Sequence, residues 1–178
     1  MISIADLEKF KESVRNVPDF PHKGIQFKDI TTAVKDAELF YLVVENIASH
    51  YRDKNITRVV AIESRGFITG GALAYKLGAG FIPVRKPGKL PAETYSATYD
   101  LEYGKDSLEI HRDALQADDI VLLHDDLLAT GGTSMAAIEL LKRFGIRKIY
   151  VSFIIELDFL KGRQRLSPPY DVYTLIHY

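Results

Sequence analysis

Asp119-Ile120-Val121-Leu122-Leu123-His124-Asp125-Asp126-Leu127-Leu128-Ala129-Thr130-Gly131-Gly132-Thr133 is the stretch from which the rest of the chain is read. Its first five residues are an apolar run of strand length. A helical pattern then runs from about Thr133 to Phe144, with Lys142 and Arg143 in its last turn and Gly145 beyond it. Between them, two carboxylates at the strand end lead into a loop of small residues that opens the helix. Glycines let backbone N–H groups curl around an anion, and the helix N-terminus adds a favourable dipole. Thr130 and Thr133 add hydroxyl donors, so Ala129, Thr130, Gly131, Gly132 and Thr133 suit a phosphate. Asp125 and Asp126 suit a vicinal diol, because each carboxylate can accept two hydroxyl hydrogen bonds. The competing reading is that the two acids merely end a strand and cap a helix. Two adjacent acids followed by Ala-Thr-Gly-Gly-Thr favour a ribose-phosphate cradle.

Working outward, short β-branched runs alternate with amphipathic segments of helix length. Asp36 caps a helix with an apolar stripe at Leu39, Phe40, Val43, Val44, Ile47 and Tyr51. A strand at Arg58–Ile62 precedes a helix over Phe67–Leu77 stopped by Gly78, and Gly80–Val84 is the next strand. Lys148–Ile155 and Val172–Ile176 complete the strands. This alternation predicts an α/β fold with a central parallel sheet flanked by helices on both faces. Ligands of such sheets gather beyond the carboxyl ends of the strands, which singles out the loops after Ile62, Val84 and Leu123. Two stretches break the rhythm. Residues 85–113 have no helical period, and Tyr95, Tyr99, Leu101, Tyr103, Leu108 and Ile110 predict an antiparallel ribbon turning near Gly104-Lys105-Asp106. An insertion of this length reads as a lid. The first 35 residues carry a short helix around Leu7–Val14 and an irregular segment from Val17 to Ile25.

Composition excludes several classes. The chain has 178 residues, no cysteine and a formal charge of -1 from 23 basic and 24 acidic side chains. Its length suits a single domain with an adequate core. Thiol catalysis, disulfides and cysteine-ligated zinc are ruled out. A balanced charge argues against a nucleic-acid partner, and no apolar run approaches the roughly 18 residues of a membrane span. The opening Met1-Ile2-Ser3-Ile4-Ala5-Asp6 lacks a signal-peptide layout, so a cytoplasmic location is expected. The loop at 129–133 is neither a Walker A sequence nor Gly-x-Gly-x-x-Gly, which disfavours a kinase or a dinucleotide-binding domain.

Asp125 to Thr133 resembles the 5-phosphoribosyl 1-diphosphate (PRPP) motif of the type I phosphoribosyltransferases. Four further segments, in order along the chain, resemble the branch of that family that acts on adenine. They are Phe20–Thr31, Glu63–Phe67, Arg85–Pro91 and Tyr99–Gly104. The resemblance implies transfer of phosphoribose from PRPP to adenine, giving AMP and diphosphate, with Mg²⁺ held mainly by PRPP and a homodimeric assembly. It implies an N-terminal base-recognition segment over 1–35 and a flexible hood over 85–113. Adenine would be bound by Gln26, Phe27 and Lys28, with Phe27 stacked on the purine and backbone groups reading its edge. The diphosphate would be bound by Arg65, Arg85, Lys86 and Lys89, and Tyr103 would close the hood. Glu102, with Arg65, Asp125 and Asp126, would be catalytic, Glu102 assisting proton transfer at purine N7.

The residues themselves leave alternatives. Arg65 also reads as a surface ion-pair partner, Phe27 as a core residue and Glu102 as an exposed strand residue. His50 and His111 read as structural or surface residues. Lys28 replaces a more usual arginine, and His124 stands where the family usually has a β-branched apolar residue. A transferase for another base, or a non-catalytic PRPP sensor on the same fold, would differ at residues 20–30, at Arg65 and in the hood.

Overall fold

A computed structural model describes residues 4–101 and 104–178. In chain order its elements are α1 (Ile4–Ser13), β1 (Arg15–Pro18), β2 (Gln26–Asp29), α2 (Thr31–Val34), α3 (Ala37–Tyr51), β3 (Arg58–Ile62), α4 (Gly66–Leu77) and β4 (Gly80–Val84). These are followed by β5 (Thr94–Leu101), β6 (Gly104–His111), β7 (Ile120–Leu128), α5 (Gly132–Lys142), β8 (Lys148–Glu156), α6 (Arg163–Leu166) and β9 (Asp171–His177). Five strands form one parallel sheet in the order β4-β3-β7-β8-β9.

The chain leaves β3 through α4 to reach β4 on one side, and leaves β7 through α5 to reach β8 on the other. The order reverses between β3 and β7, and a crevice opens there beyond their carboxyl ends. Alternate residues of these strands point to opposite faces. Val59 and Leu122 join the helices α1, α3 and α4 on one face. Val60, Val121 and Leu123 meet α5 and the inner side of the β5–β6 ribbon on the other. Asp36 caps α3 as its position indicates, accepting from Glu38 N at 2.9 Å and Leu39 N at 3.1 Å. At the far end of α3, buried Tyr51 donates to Val151 O at 3.0 Å and ties the helix to β8. Among the described residues, no helix is long and apolar enough to cross a membrane.

Four expectations need correction. The strand at 119–123 does not end before the acids: β7 runs to Leu128, because β8 pairs with it as far as Leu128↔Glu156. Its other neighbour, β3, pairs with it only as far as Ala61↔His124, so Asp125 and Asp126 begin where one edge of β7 becomes free. The helix after the loop spans Gly132–Lys142 rather than 133–144. Part of the irregular N-terminal segment is ordered, since β1 and β2 pair antiparallel from Arg15↔Asp29 to Pro18↔Gln26. Gly104, Lys105 and Asp106 are not the turn of the ribbon but belong to β6, paired with Leu101, Asp100 and Tyr99. That register puts Leu108 and Ile110 into the core, both with 0% exposure.

His124 is wholly buried between three elements. Its Nε2 lies 2.7 Å from Thr69 Oγ1 on α4, and its Nδ1 lies 2.8 Å from Ser152 Oγ on β8. Burial drives its pKa down to about 3, so the folded protein holds it neutral. A folded value below the unfolded one adds stability that is complete above about pH 6.5 and lost as pH falls towards 3. By pH 5 the loss amounts to about 2 kcal/mol. Thermal melts at pH 7 and pH 5 test this. The His124→Val protein, though less stable at pH 7, should lose less stability on acidification than the parent, and equal acid slopes would count against the argument.

Candidate active site

Three strand ends supply the site. After β3, residues 63–65 lead into α4; after β7, residues 129–131 lead into α5; after β4, residues 85–93 lead into the ribbon. The first two loops lie side by side because β3 and β7 are neighbours. Contact between them is close: a Cβ at Gly66 would sit 2.9 Å from Asp125 Oδ1 and 3.2 Å from His124 O. Only glycine lets α4 start this near the acids.

Arg65, just before α4, gathers the site. Its Nε lies 2.9 Å from Asp126 Oδ2. Its guanidinium lies over the Phe27 ring, 4.4 Å from the centroid, and its Nη1 donates to Lys28 O at 3.3 Å. One side chain therefore joins the acidic pair to the β2 strand. Phe27 is only half-buried and stands outside both core clusters, which removes the core-packing alternative. Phe20 stacks edge-on against it at 5.0 Å. Gln26 is exposed, and Lys28 Nζ sits over the Tyr178 ring, 3.8 Å from its centroid, rather than over the cleft.

Asp125 and Asp126 titrate together. Burial, then the charge of Asp126, raises the Asp125 pKa well above the ordinary carboxylate value, although part of Asp125 still reaches the surface. Burial raises Asp126 too, against the pull of Arg65. Two carboxylates this close in a buried place disfavour the doubly charged state of the pair. Asp126 Oδ2 is buried, and its approach by Arg65 lacks hydrogen-bond alignment. Hard oxygen donors of this kind fit a Mg²⁺ ion that retains most of its ligands from substrate and water.

Beyond the acids, Gly131 begins α5 with a φ of 81° and no side-chain cap, so the first N–H groups of the helix are available to an anion. Thr130 is exposed, while Ala129, Gly132 and Thr133 are half-buried. This loop rests on a residue that the sequence reading missed. A Cβ at Gly162 would lie 2.1 Å from Ala129 O and 3.1 Å from Gly131 N. Gly162 is held there by its neighbour Arg163, which donates to both carboxylate oxygens of Glu156 and to Val172 O. Glu156, Asp158 and His177 bring ligand atoms within 4.8 Å of one another, but Glu156 is already engaged by Arg163.

The cations after β4 are arranged differently from one another. Arg85 Nε pairs with Glu63 Oε2 at 2.9 Å, and Lys86 N donates to the same oxygen at 3.0 Å. Lys86 Nζ is paired with Asp106 on the ribbon and donates to Tyr99 OH at 3.2 Å. Lys89 is exposed and turns its carbonyl oxygen to Arg85 Nη1 at 3.0 Å. Arg85 and Lys86 would have to exchange partners to meet a diphosphate. Glu102 and Tyr103 lie outside the described residues.

This combination, an acidic pair and a glycine-bearing anion loop at the reversal of a parallel sheet, defines a class, and comparison with known proteins agrees. The phosphoribosyl transferase domain family matches residues 31–176. The chain belongs to the phosphoribosyltransferase family. It is 57% identical over 169 residues to an adenine phosphoribosyltransferase of Bacteroides fragilis, covering 95% of each chain. The crystal structure of adenine phosphoribosyltransferase from Rhodothermus marinus superimposes with a TM-score of 0.94 at 49% identity, over 99% of this chain and 100% of that one. The enzyme from Saccharomyces cerevisiae, in complex with adenine and an imino-altritol bisphosphate, gives 0.91 at 39% identity, over 98% and 100%.

Two substitutions probe this geometry. Because its raised pKa means that ionisation costs stability as pH rises above the ordinary carboxyl range, Asp125→Asn should stabilise the ligand-free protein at pH 7. The gain should be about 2–4 °C in Tm, with kcat lowered on the order of 10²-fold or more. A lower Tm would contradict the electrostatic account. Gly162→Ala should displace the loop at 129–131 and reduce kcat/KM for PRPP about 10²-fold. Steady-state kinetics with PRPP varied, alongside a melt showing cooperative unfolding, reads that outcome.

Proposed function

We propose that the protein transfers the 5-phosphoribosyl group from PRPP to adenine, giving AMP and diphosphate in purine salvage. The observation that carries this is Arg65, which links an acidic pair suited to ribose hydroxyls with a half-buried aromatic ring suited to a base. The yeast relative holds adenine and a sugar bisphosphate analogue at once, which supports the same pairing of ligands here.

In this reaction Phe27 stacks on adenine, and backbone groups of Gln26 and Lys28 read its edge. Ala129 to Thr133 hold the 5′-phosphate through backbone N–H groups and the two threonine hydroxyls. Asp125 and Asp126 accept the ribose hydroxyls and fix the ring while C1′ gains oxocarbenium character. The bond from C1′ to the diphosphate oxygen breaks, and purine N9 bonds to C1′, so no covalent enzyme nucleophile is needed. Arg65, Arg85, Lys86 and Lys89 bind the departing diphosphate. Arg65 releases the Phe27 face as it does so, which frees the ring for the base. Asp125 and Asp126 would steady a Mg²⁺ ion held mainly by PRPP, which would supply neutralisation of the diphosphate charge. Glu102 assists proton transfer at N7 and Tyr103 helps the 85–113 hood exclude water, which would otherwise hydrolyse PRPP.

The chain works as one domain and as a cytoplasmic homodimer. Tyr41 on α3 and Tyr75 on α4, 65% and 90% exposed, support a second copy as the natural cover for that side of the molecule. A groove of about 920 Å³ also runs along α3, lined in part by Tyr41, Asn46 and Tyr173.

The test is an assay of product from PRPP and Mg²⁺ with adenine, hypoxanthine or guanine supplied separately. Adenine should give AMP with a kcat/KM on the order of 10²-fold or more above the other bases, since a buried polar edge left unpaired rejects a near-isostere strongly. No AMP formation, or a preference for a 6-oxopurine, would overturn the proposal.

A further inference from the structure

Lys28 is gripped at both ends. Its carbonyl oxygen accepts from Arg65 Nη1 at 3.3 Å, on the side of the acidic pair. Its ammonium turns the other way and lies 3.8 Å from the centroid of the Tyr178 ring. That ring is not a loose end. Tyr178 N donates to Glu156 O at 3.0 Å, Tyr178 O accepts from Asp158 N at 3.0 Å, and its hydroxyl donates to Lys11 O on α1 at 2.8 Å. A second ammonium, that of Lys11, sits 5.0 Å from the same ring centroid. Two ammonium groups thus meet at one ring, and burial, then the charge of Lys11, lowers the Lys28 pKa. An aromatic face attracts such cations through its quadrupole.

We infer that Tyr178 is a positioning residue for the base: by holding the Lys28 ammonium it sets the backbone of β2 at the height where Phe27 and the edge of residues 26–28 meet the purine. This rests on the reading that residues 26–28 receive adenine. The ring joins three segments distant in sequence, α1, β2 and the residue after β9, and its contacts are with Lys11 and Lys28 rather than with residues 129–133. Its loss therefore acts on the base and spares PRPP.

The experiment measures KM for adenine and for PRPP, with kcat, in Tyr178→Leu, Tyr178→Phe, Lys28→Met and the Tyr178→Leu/Lys28→Met double variant. Tyr178→Leu should raise the adenine KM about 5–10-fold, a range of roughly 1–1.4 kcal/mol. The PRPP KM should change less than about twofold, since no contact to its loop is lost. Tyr178→Phe, which keeps the ring and drops the hydroxyl, should restore most of the adenine KM. The double variant should be no worse than the poorer single one. Equal rises in both KM values, failure of Tyr178→Phe to recover, or multiplicative effects in the double variant would overturn the inference. If Tyr178→Leu does not fold, Lys28→Met decides the matter, and an unchanged adenine KM there overturns it. Phe27→Ala, run in parallel, separates the underlying reading: an unaffected adenine KM in that variant removes residues 26–28 from base binding altogether.

Discussion

Two carboxylates side by side in a buried position repel each other, and the ion pair between Arg65 and Asp126 makes the arrangement tolerable. Much else follows from that contact. Arg65 can reach Asp126 only because β3 and β7 are adjacent and Gly66 lets α4 begin against the acids. Once there, its guanidinium has a second face to cover, and Phe27 covers it. The β1–β2 hairpin is thereby brought to the cleft.

The anion loop shows a different economy. Its own residues specify donors and a left-handed turn at Gly131, but the height of the loop is set by Gly162, about thirty residues later. Gly162 is in turn anchored by the Arg163–Glu156 fork on β8. Because β7 and β8 run in register to Leu128↔Glu156, the acid that anchors the loop and the strand that carries it move as one body. Rigidity of the loop at 129–131 is therefore a property of the sheet more than of the loop itself.

What could be read in advance follows from this distinction. The parallel sheet was legible because each strand is a continuous apolar run and each helix has a clear stop. The acids and the loop were legible because they are contiguous in sequence. Gly162 was not, since nothing in Lys161-Gly162-Arg163 announces that a carbonyl from residue 129 rests on it. The β1–β2 hairpin was missed because its strands are four residues long and largely polar, the first ends in Pro18, and tertiary contacts to Arg65 support it. Gly104-Lys105-Asp106 has the composition of a turn, yet burial of Leu108 and Ile110 set the register and these three residues pair within the ribbon. The grouping of Lys28 with Tyr178 joins opposite ends of the chain, where no local pattern could signal it.

The ribbon has a mechanical character that follows from its root. Arg85 and Glu109 bridge it to the end of β4, exchanging backbone hydrogen bonds at 2.9 and 2.7 Å, and Leu108 and Ile110 are sealed in the core beside α5. It is thus a cantilever, clamped along its inner rungs and loaded only at its outer ones. Swinging it as a rigid flap would tear two large side chains out of the core, and at the rung Tyr99↔Asp106 both residues are tied to Lys86 as well. Substitutions at Leu108 or Ile110 therefore act on the fold as a whole, whereas one at Lys86 acts on the outer tie of the ribbon alone.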